Sequence, residues 1–151
     1  MAPPPADDGE TGSPPITVQA IEGLSALSRD AWDALANPAN AEFDPFLSWD
    51  FLEALEASGC VGEESGWLPR HLVATGPDGK LVGALPLYAK THSMGEYVFD
   101  HAWADAYDRA GGQYYPKLLS AIPFTPAPGR RVLADRAAMP RPLAPPPCQP
   151  P

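Results

Sequence analysis

Two cysteines, Cys60 and Cys148, are all the thiol chemistry that this chain of 151 residues possesses. One follows a helix-like segment and the other lies in a proline-rich tail, an arrangement that argues against a disulfide and for a reducing compartment. Cys-x-x-Cys is missing, and His71, His92 and His101 fall at no spacing that suits zinc. No apolar run nears the roughly twenty residues of a membrane span. The acidic N-terminus lacks the positively charged start and apolar core of a secretory signal and the arginines of a transit peptide, so elimination leaves the cytoplasm as the expected location. Bases are scarce at the front: residues 1–64 hold 13 acidic side chains against Arg29 alone, whereas the remainder holds 6 acidic and 9 basic ones. Such a surface excludes DNA, whose backbone is bound by clustered cations. Arg130 and Arg131 form the one adjacent basic pair, either a solvated turn or an anion site. Neither glycine-rich phosphate-cradling motif is found.

Proline, by contrast, is abundant. Its 21 copies crowd the two ends, where no apolar periodicity accompanies them. This predicts a disordered leader over residues 1–15 and a disordered tail over 134–151. Residues 16–133 remain to build one hydrophobic core.

Within that span the β-prone run Thr17 to Ile21 reads as a first strand. Ser28 can cap a helix through Trp32 and Leu35 that Asn37 and Pro38 stop. Ser48 can cap a second helix, Trp49 to Ser58, burying Phe51, Leu52 and Leu55, with Asp50 in the first turn and Gly59 as terminator. Leu68 to Thr75 and Lys80 to Tyr88 are β-prone runs separated by Gly76-Pro77-Asp78-Gly79, the plainest hairpin in the chain. Gly83 and Pro86 interrupt its second strand. With a further helix and strand after it, the order predicts an α+β fold, a mainly antiparallel sheet with flanking helices.

Residues 90–126 concentrate the groups capable of chemistry. A helix over Phe99 to Ala110 aligns Phe99, Trp103 and Tyr107 with Ala102, Ala106 and Ala110 in one stripe, which is expected to be buried. His101, Asp105, Asp108 and Arg109 take the other side, with Asp105 and Arg109 spaced for an ion pair. Gly111 and Gly112 end the helix, and Gln113 to Ile122 reads as a strand. Glu96 and Asp100 flank the apolar segment. They are either bases with pKa values raised by desolvation or solvated loop carboxylates. His101 with Asp105 is either an oriented imidazole or a surface hydrogen bond. The aromatic cluster is core or the wall of a groove for a sugar or peptide. A Ser-His-Asp hydrolase finds little support, because Ser93 in His92-Ser93-Met94-Gly95 lacks the glycines of a nucleophile elbow.

Several ordered strings carry a more specific signal. They run from Pro45-Phe46-Leu47-Ser48 through Gly66-Trp67-Leu68-Pro69 to Pro86-Leu87-Tyr88. Gly95-Glu96-Tyr97-Val98-Phe99-Asp100, Trp103-Ala104, Tyr114-Tyr115-Pro116-Lys117 and Pro123-Phe124-Thr125-Pro126 follow. Together they resemble the FemAB-like, GNAT-related proteins of bacterial peptidoglycan biosynthesis or recognition. The resemblance implies a partial GNAT-like fold and an N-acyltransferase that moves an acyl or aminoacyl group from a thioester or aminoacyl donor to an amine. The acceptor would be a small molecule or a peptide. Acetyl-CoA or another acyl-CoA is the implied cofactor of intact relatives, although no pyrophosphate-binding turn is evident in this chain. For this chain the polar groups gathered beside the aromatic stripe put Glu96, Asp100 and His101 near any acceptor site as catalytic groups, a carboxylate serving as base, with Tyr97, Trp103 and Tyr107 shaping the wall. Because the similarity fades after Leu133, the chain is expected to be the front part of a longer member. The competing expectation is a non-catalytic module that binds a partner or itself.

Overall fold

The computed structural model describes residues 15–135. Most of the proline-rich ends, and Cys148 with them, lie outside the described residues. Among the described residues three α-helices and seven strands form an α+β fold in which the strand pairing is antiparallel.

The first sheet has the order β1-β3-β4-β7, made of Thr17–Ile21, His71–Thr75, Leu81–Leu85 and Leu133–Ala134. The second has the order β2-β5-β6, made of Trp67–Pro69, Tyr88–Lys90 and Lys117–Leu119. Both expected hairpin strands are therefore longer than one sheet. Each breaks, at Arg70 and at Pro86-Leu87, and continues in the other sheet. Pro86 has no N–H to give a ladder, and at the break Arg70 N donates to Leu87 O at 2.8 Å.

Helices α1 (Arg29–Ala36) and α2 (Trp49–Ala57) start where their caps predict. The Ser28 and Ser48 hydroxyls each accept from the N–H three residues on, at 3.3 Å. Trp32, Leu35 and Leu52 are buried with Leu24, Val73, Ala84, Ile122 and Leu133, so this core lies between the two helices and the first sheet. Phe51 and Leu55, expected inside, are only half-buried; Phe51 packs edge-on against Phe46 at 5.4 Å. Trp32 satisfies its indole by donating to Leu47 O at 2.8 Å. A second, smaller core of Val61, Trp67 and Tyr88 underlies the second sheet.

A polar link crosses the first core. Glu56 accepts from Leu24 N and His71 Nε2, both at 2.8 Å, while His71 Nδ1 accepts from Leu87 N at 3.1 Å. That pairing requires the neutral Nε2–H form of His71.

Helix α3 (His101–Arg109) departs from expectation. It has no buried residue, and Phe99, Trp103 and Tyr107 are 68%, 70% and 54% exposed. The aromatic stripe is not a core face, because no strand or helix among the described residues covers it. The spacing that made the stripe fixes which residues share a side, not whether another element lies against it. Nor does Asp105 pair with Arg109 or His101. Gly111, at φ 78°, does end the helix. The strand expected over Gln113 to Ile122 shrinks to Lys117–Leu119, which pairs with β5 and is the edge of its sheet among the described residues.

Candidate functional site

Helix α3 is fastened by polar groups instead of apolar ones. Asp100 stands at its N-terminus, but its carboxylate does not cap the helix. One oxygen, Oδ1, accepts from Ser93 Oγ at 2.6 Å; the other accepts from Tyr114 Oη at 2.5 Å and from Lys117 Nζ. Lys117, on β6, also donates to Ser93 Oγ at 3.0 Å and to Glu96 Oε2 at 2.7 Å. Tyr115 Oη meets Ser93 Oγ at 2.6 Å, and since the serine proton serves Asp100, the tyrosine donates. Three side chains, Ser93, Glu96 and Asp100, thus close on the Lys117 ammonium, and Tyr114 and Tyr115 buttress them.

Burial by itself would raise the Asp100 carboxyl. The hydrogen bonds from Lys117, Ser93 and Tyr114 outweigh it and hold the group well below the usual carboxylate range. Asp100 follows neither of the two readings open to it, a carboxyl raised by desolvation or a solvated loop carboxylate, because its partners are cationic or donating. Lys117 is also partly buried, which favours its neutral form, but Asp100 and Glu96 prevail and its pKa is raised. The bond to Asp100, followed by burial, raises Tyr114. The Ser-His-Asp hydrolase reading finds no geometry here, because Ser93 Oγ bonds Asp100, Tyr115 and Lys117 and no histidine is among its partners.

Glu96 differs from Asp100. Its side chain is only 5% exposed, and Oε2 is taken by Lys117, yet Oε1 is buried with no hydrogen-bond partner. Trp67 Nε1 is the corresponding donor, also buried and unpartnered. Both residues line one cleft of about 520 Å³, together with Tyr97, Val98, Leu119 and Ile122, and Arg131 stands on its wall. Arg131 is pinned by donating to Ala127 O at 2.6 Å and to Arg130 O at 2.9 Å, while Arg130 donates to Ala36 O at 2.6 Å; both arginines of the pair therefore brace the backbone.

Below the cleft, Lys90 is fully buried, with its ammonium 4.0 Å from the centroid of the Trp67 ring and donating to Met94 O at 3.0 Å. Desolvation pushes its pKa down to about 8, against the pull of Glu96. Backbone geometry keeps these groups close. Gly95 lies at φ 79°, and a methyl there would meet the Phe124 ring at 2.4 Å and Trp67 Nε1 at 3.1 Å. Phe124 is itself in the left-handed region, at φ 55°, and packs on Trp67 at 5.4 Å.

Of the residues singled out in the sequence, Glu96 and Asp100 are thus joined through Lys117, and Tyr97 lines the cleft. His101 is exposed and stacks on Phe99 at 5.5 Å. Trp103 stands away from the cleft, and Tyr107 leans edge-on against Tyr114 at 5.9 Å. Lys117, Lys90 and Trp67 escaped sequence reasoning as site residues. Lys117 sits 21 residues beyond Glu96, and no helical or strand period links such positions; the only signal was the string Tyr114-Tyr115-Pro116-Lys117 itself. Among the described residues no group of His, Cys, Asp and Glu is placed to hold a metal ion, and no helix is long and apolar enough to cross a membrane.

Comparison with known proteins returns no match among curated proteins and none among solved structures. A family profile described as FemAB-like, peptidoglycan biosynthesis/recognition, matches residues 23–144. That span takes in six of the seven strands, β1 lying before it, together with the polar cluster and the cleft, and the chain accordingly belongs to the FemAB-like family of peptidoglycan biosynthesis/recognition.

Proposed function

We propose that the chain serves an N-acyltransferase reaction, providing the acceptor side on which an amine of a cell-wall precursor receives an acyl or aminoacyl group. The observation that carries this reading is Glu96, a residue of the cleft wall whose Oε2 is held by Lys117 and whose Oε1 is buried without a partner. A buried carboxylate oxygen without a partner is complementary to an ammonium or amine N–H, and burial makes the unmet acceptor costly. Lys117 orients the carboxylate by holding Oε2, and Asp100, saturated by three donors, positions Lys117.

In the transfer the amine nitrogen attacks the donor's acyl carbon, a nitrogen–carbon bond forms, and the bond from that carbon to the thiol or ester oxygen breaks. Glu96 takes the proton lost by the amine and returns it to the leaving group. The donor is a thioester, acetyl-CoA or another acyl-CoA, or an aminoacyl ester. Tyr97, Val98 and Leu119 supply apolar surface for the acceptor's aliphatic portion.

The test incubates the full chain with acetyl-CoA and a lysine-bearing peptide and detects the acetylated amine by mass spectrometry. Glu96→Gln should lower the rate about 100-fold or more, the order that general bases contribute, while leaving the fold unchanged by circular dichroism. Saturable acetyl-CoA binding without any effect of Glu96→Gln would remove the role of Glu96. Absence of both binding and product would remove the enzyme reading.

A second reading rests on the exposed side of the molecule. Met94, Val98, Phe99, Trp103 and Leu118 are all exposed, and β6 is an edge strand. These features favour a module that associates with itself through its exposed apolar side chains or its strand edge. Sedimentation over a hundredfold range of concentration distinguishes it, since only this reading requires a mass that grows with concentration.

A further inference from the structure

Helix α3 carries two kinds of group that the rest of the described chain leaves uncovered. Trp103 and Tyr107, four residues apart, share one side of the helix, and both are exposed. Tyr107 leans on Tyr114, and Tyr114 lines a hollow of about 380 Å³ together with Tyr115, Asp105 and Asp108. The aromatic side and the acidic hollow are therefore neighbours. Neither the Asp105 nor the Asp108 carboxylate has an ion-pair or hydrogen-bond partner among the described residues.

The sequence holds a segment of complementary chemistry. Residues 136–147 follow Asp135, the last described residue, and contain Arg136, Arg141, five prolines and no acidic side chain. In a polyproline helix the spacing of Pro142-Leu143-Ala144-Pro145 puts its two prolines on one side. Aromatic-lined surfaces take up such segments with little loss of entropy. An arginine next to them can stack on an aromatic ring while its guanidinium pairs with a carboxylate.

The reach is sufficient. Arg131 lines the same cleft as Tyr97 and Val98, and Val98 stands three residues before the start of α3, so the chain passes this neighbourhood four residues before Asp135. Four residues carry it at most about 13 Å away, and α3 is about 14 Å long. Residues 136–147 span about 37 Å in polyproline geometry, which covers both distances.

From these observations we infer that residues 136–147 dock on helix α3 of the same molecule, with the prolines on Trp103 and Tyr107 and Arg141 at Asp105 and Asp108. The contact lies outside the cleft and makes no use of Glu96. It competes with self-association, because a docked segment occupies aromatic side chains that a second copy would use.

Cys148 lies one residue beyond the segment in the sequence and makes the test direct. Cys60→Ser in the full chain leaves Cys148 as the single thiol for a nitroxide label. The indole N–H signals of a ¹⁵N-labelled sample are then compared before and after reduction of the label, with Trp103→Phe identifying the signal of interest. With docked and free states of comparable population, the Trp103 signal should be weakened about twofold or more, while Trp32, in the first core, keeps its intensity. Arg141→Glu combined with Pro142→Gly should restore the Trp103 signal. Adding Asp105→Lys and Asp108→Lys to Arg141→Glu alone should weaken it again, since the charges are then exchanged.

A Trp103 signal that the label leaves unchanged overturns the inference, as does a loss that persists in the Arg141→Glu, Pro142→Gly variant. An equal mixture of ¹⁵N chain without nitroxide and unlabelled chain carrying it separates the remaining occupant: a loss of the same size there assigns the surface to the segment of a second copy and overturns docking within one molecule. No acyl donor enters the experiment, so its failure leaves the acceptor reading as it stands.

Discussion

Replacing Lys117 by methionine isolates the polar cluster, because methionine keeps most of the side-chain length and removes only the charge and the donors. Three hydrogen bonds disappear, to Glu96, Asp100 and Ser93. The Lys117, Glu96 and Asp100 side chains are 14%, 5% and 19% exposed, so the two carboxylates would face each other with little water to screen them. Removing one member of a buried pair costs about 3–5 kcal/mol; the residual exposure places this case near the low end, at about 3 kcal/mol. In a domain whose whole stability is about 5–15 kcal/mol that is a large share.

The pH dependence gives a second reading of the same variant. Asp100 has its pKa depressed below the ordinary 3.8 of an aspartate, so its contribution is present above about pH 4 and is lost as the pH falls through the folded value. Lys117 is raised above 10.5, so its contribution is full below that value and is lost as the pH climbs past the folded one. Urea unfolding followed by circular dichroism from pH 2 to 11 measures both limbs. Lys117→Met should lower the midpoint at pH 7 with an unchanged slope, and flatten the loss of stability below pH 4. A change under about 1 kcal/mol at pH 7, or an acid limb identical to that of the parent, would refute the argument that this ammonium organises the site.

Lys90 gives the opposite sign: a lysine held down at about 8 is neutral in the folded chain and charged in the unfolded one between pH 8 and 10.5. Its contribution makes stability rise with pH across that window, and Lys90→Met should abolish the rise in the same unfolding series. Gly95→Ala combines a positive φ with a methyl placed 2.4 Å from the Phe124 ring; it should cost about 1–3 kcal/mol and displace Phe124 from Trp67, read as a change in tryptophan fluorescence. Trp103→Ser should alter stability by less than about 0.5 kcal/mol, as exposed substitutions do, whereas a buried Trp103 would have cost several times that in the same melt.

Much of this architecture was legible in the sequence, and the reasons are local. Ser28 and Ser48 fix two helix starts within three residues of themselves, and Gly76 to Gly79 fixes one turn; such signals do not depend on distant chain. The run Thr17 to Ile21 appears as the first strand without adjustment. What escaped is everything decided by distant partners. Trp103 and Tyr107 recur at the helical period whether or not a layer covers them. Arg70 looks like one more residue of a continuous strand, yet two sheets part there. Glu96 and Asp100 were visible as carboxylates beside an aromatic segment, but their divergence is not written near them. It comes from Lys117, Ser93 and Tyr114, which together saturate Asp100, whereas Glu96 receives Lys117 on one oxygen and keeps the other without a partner.

The two broken strands have a mechanical consequence. Because β2 runs into β3 and β4 into β5, with only Arg70 and Pro86-Leu87 between them, two covalent cables tie the layer under α1 and α2 to the layer carrying the cleft. Neither layer can be excised as a separately inherited module without severing a ladder, so heat or urea should dismantle both at once, in a single cooperative transition. Any ligand that tightens the cleft would then raise the melting point of the helical layer as well, although it never touches it.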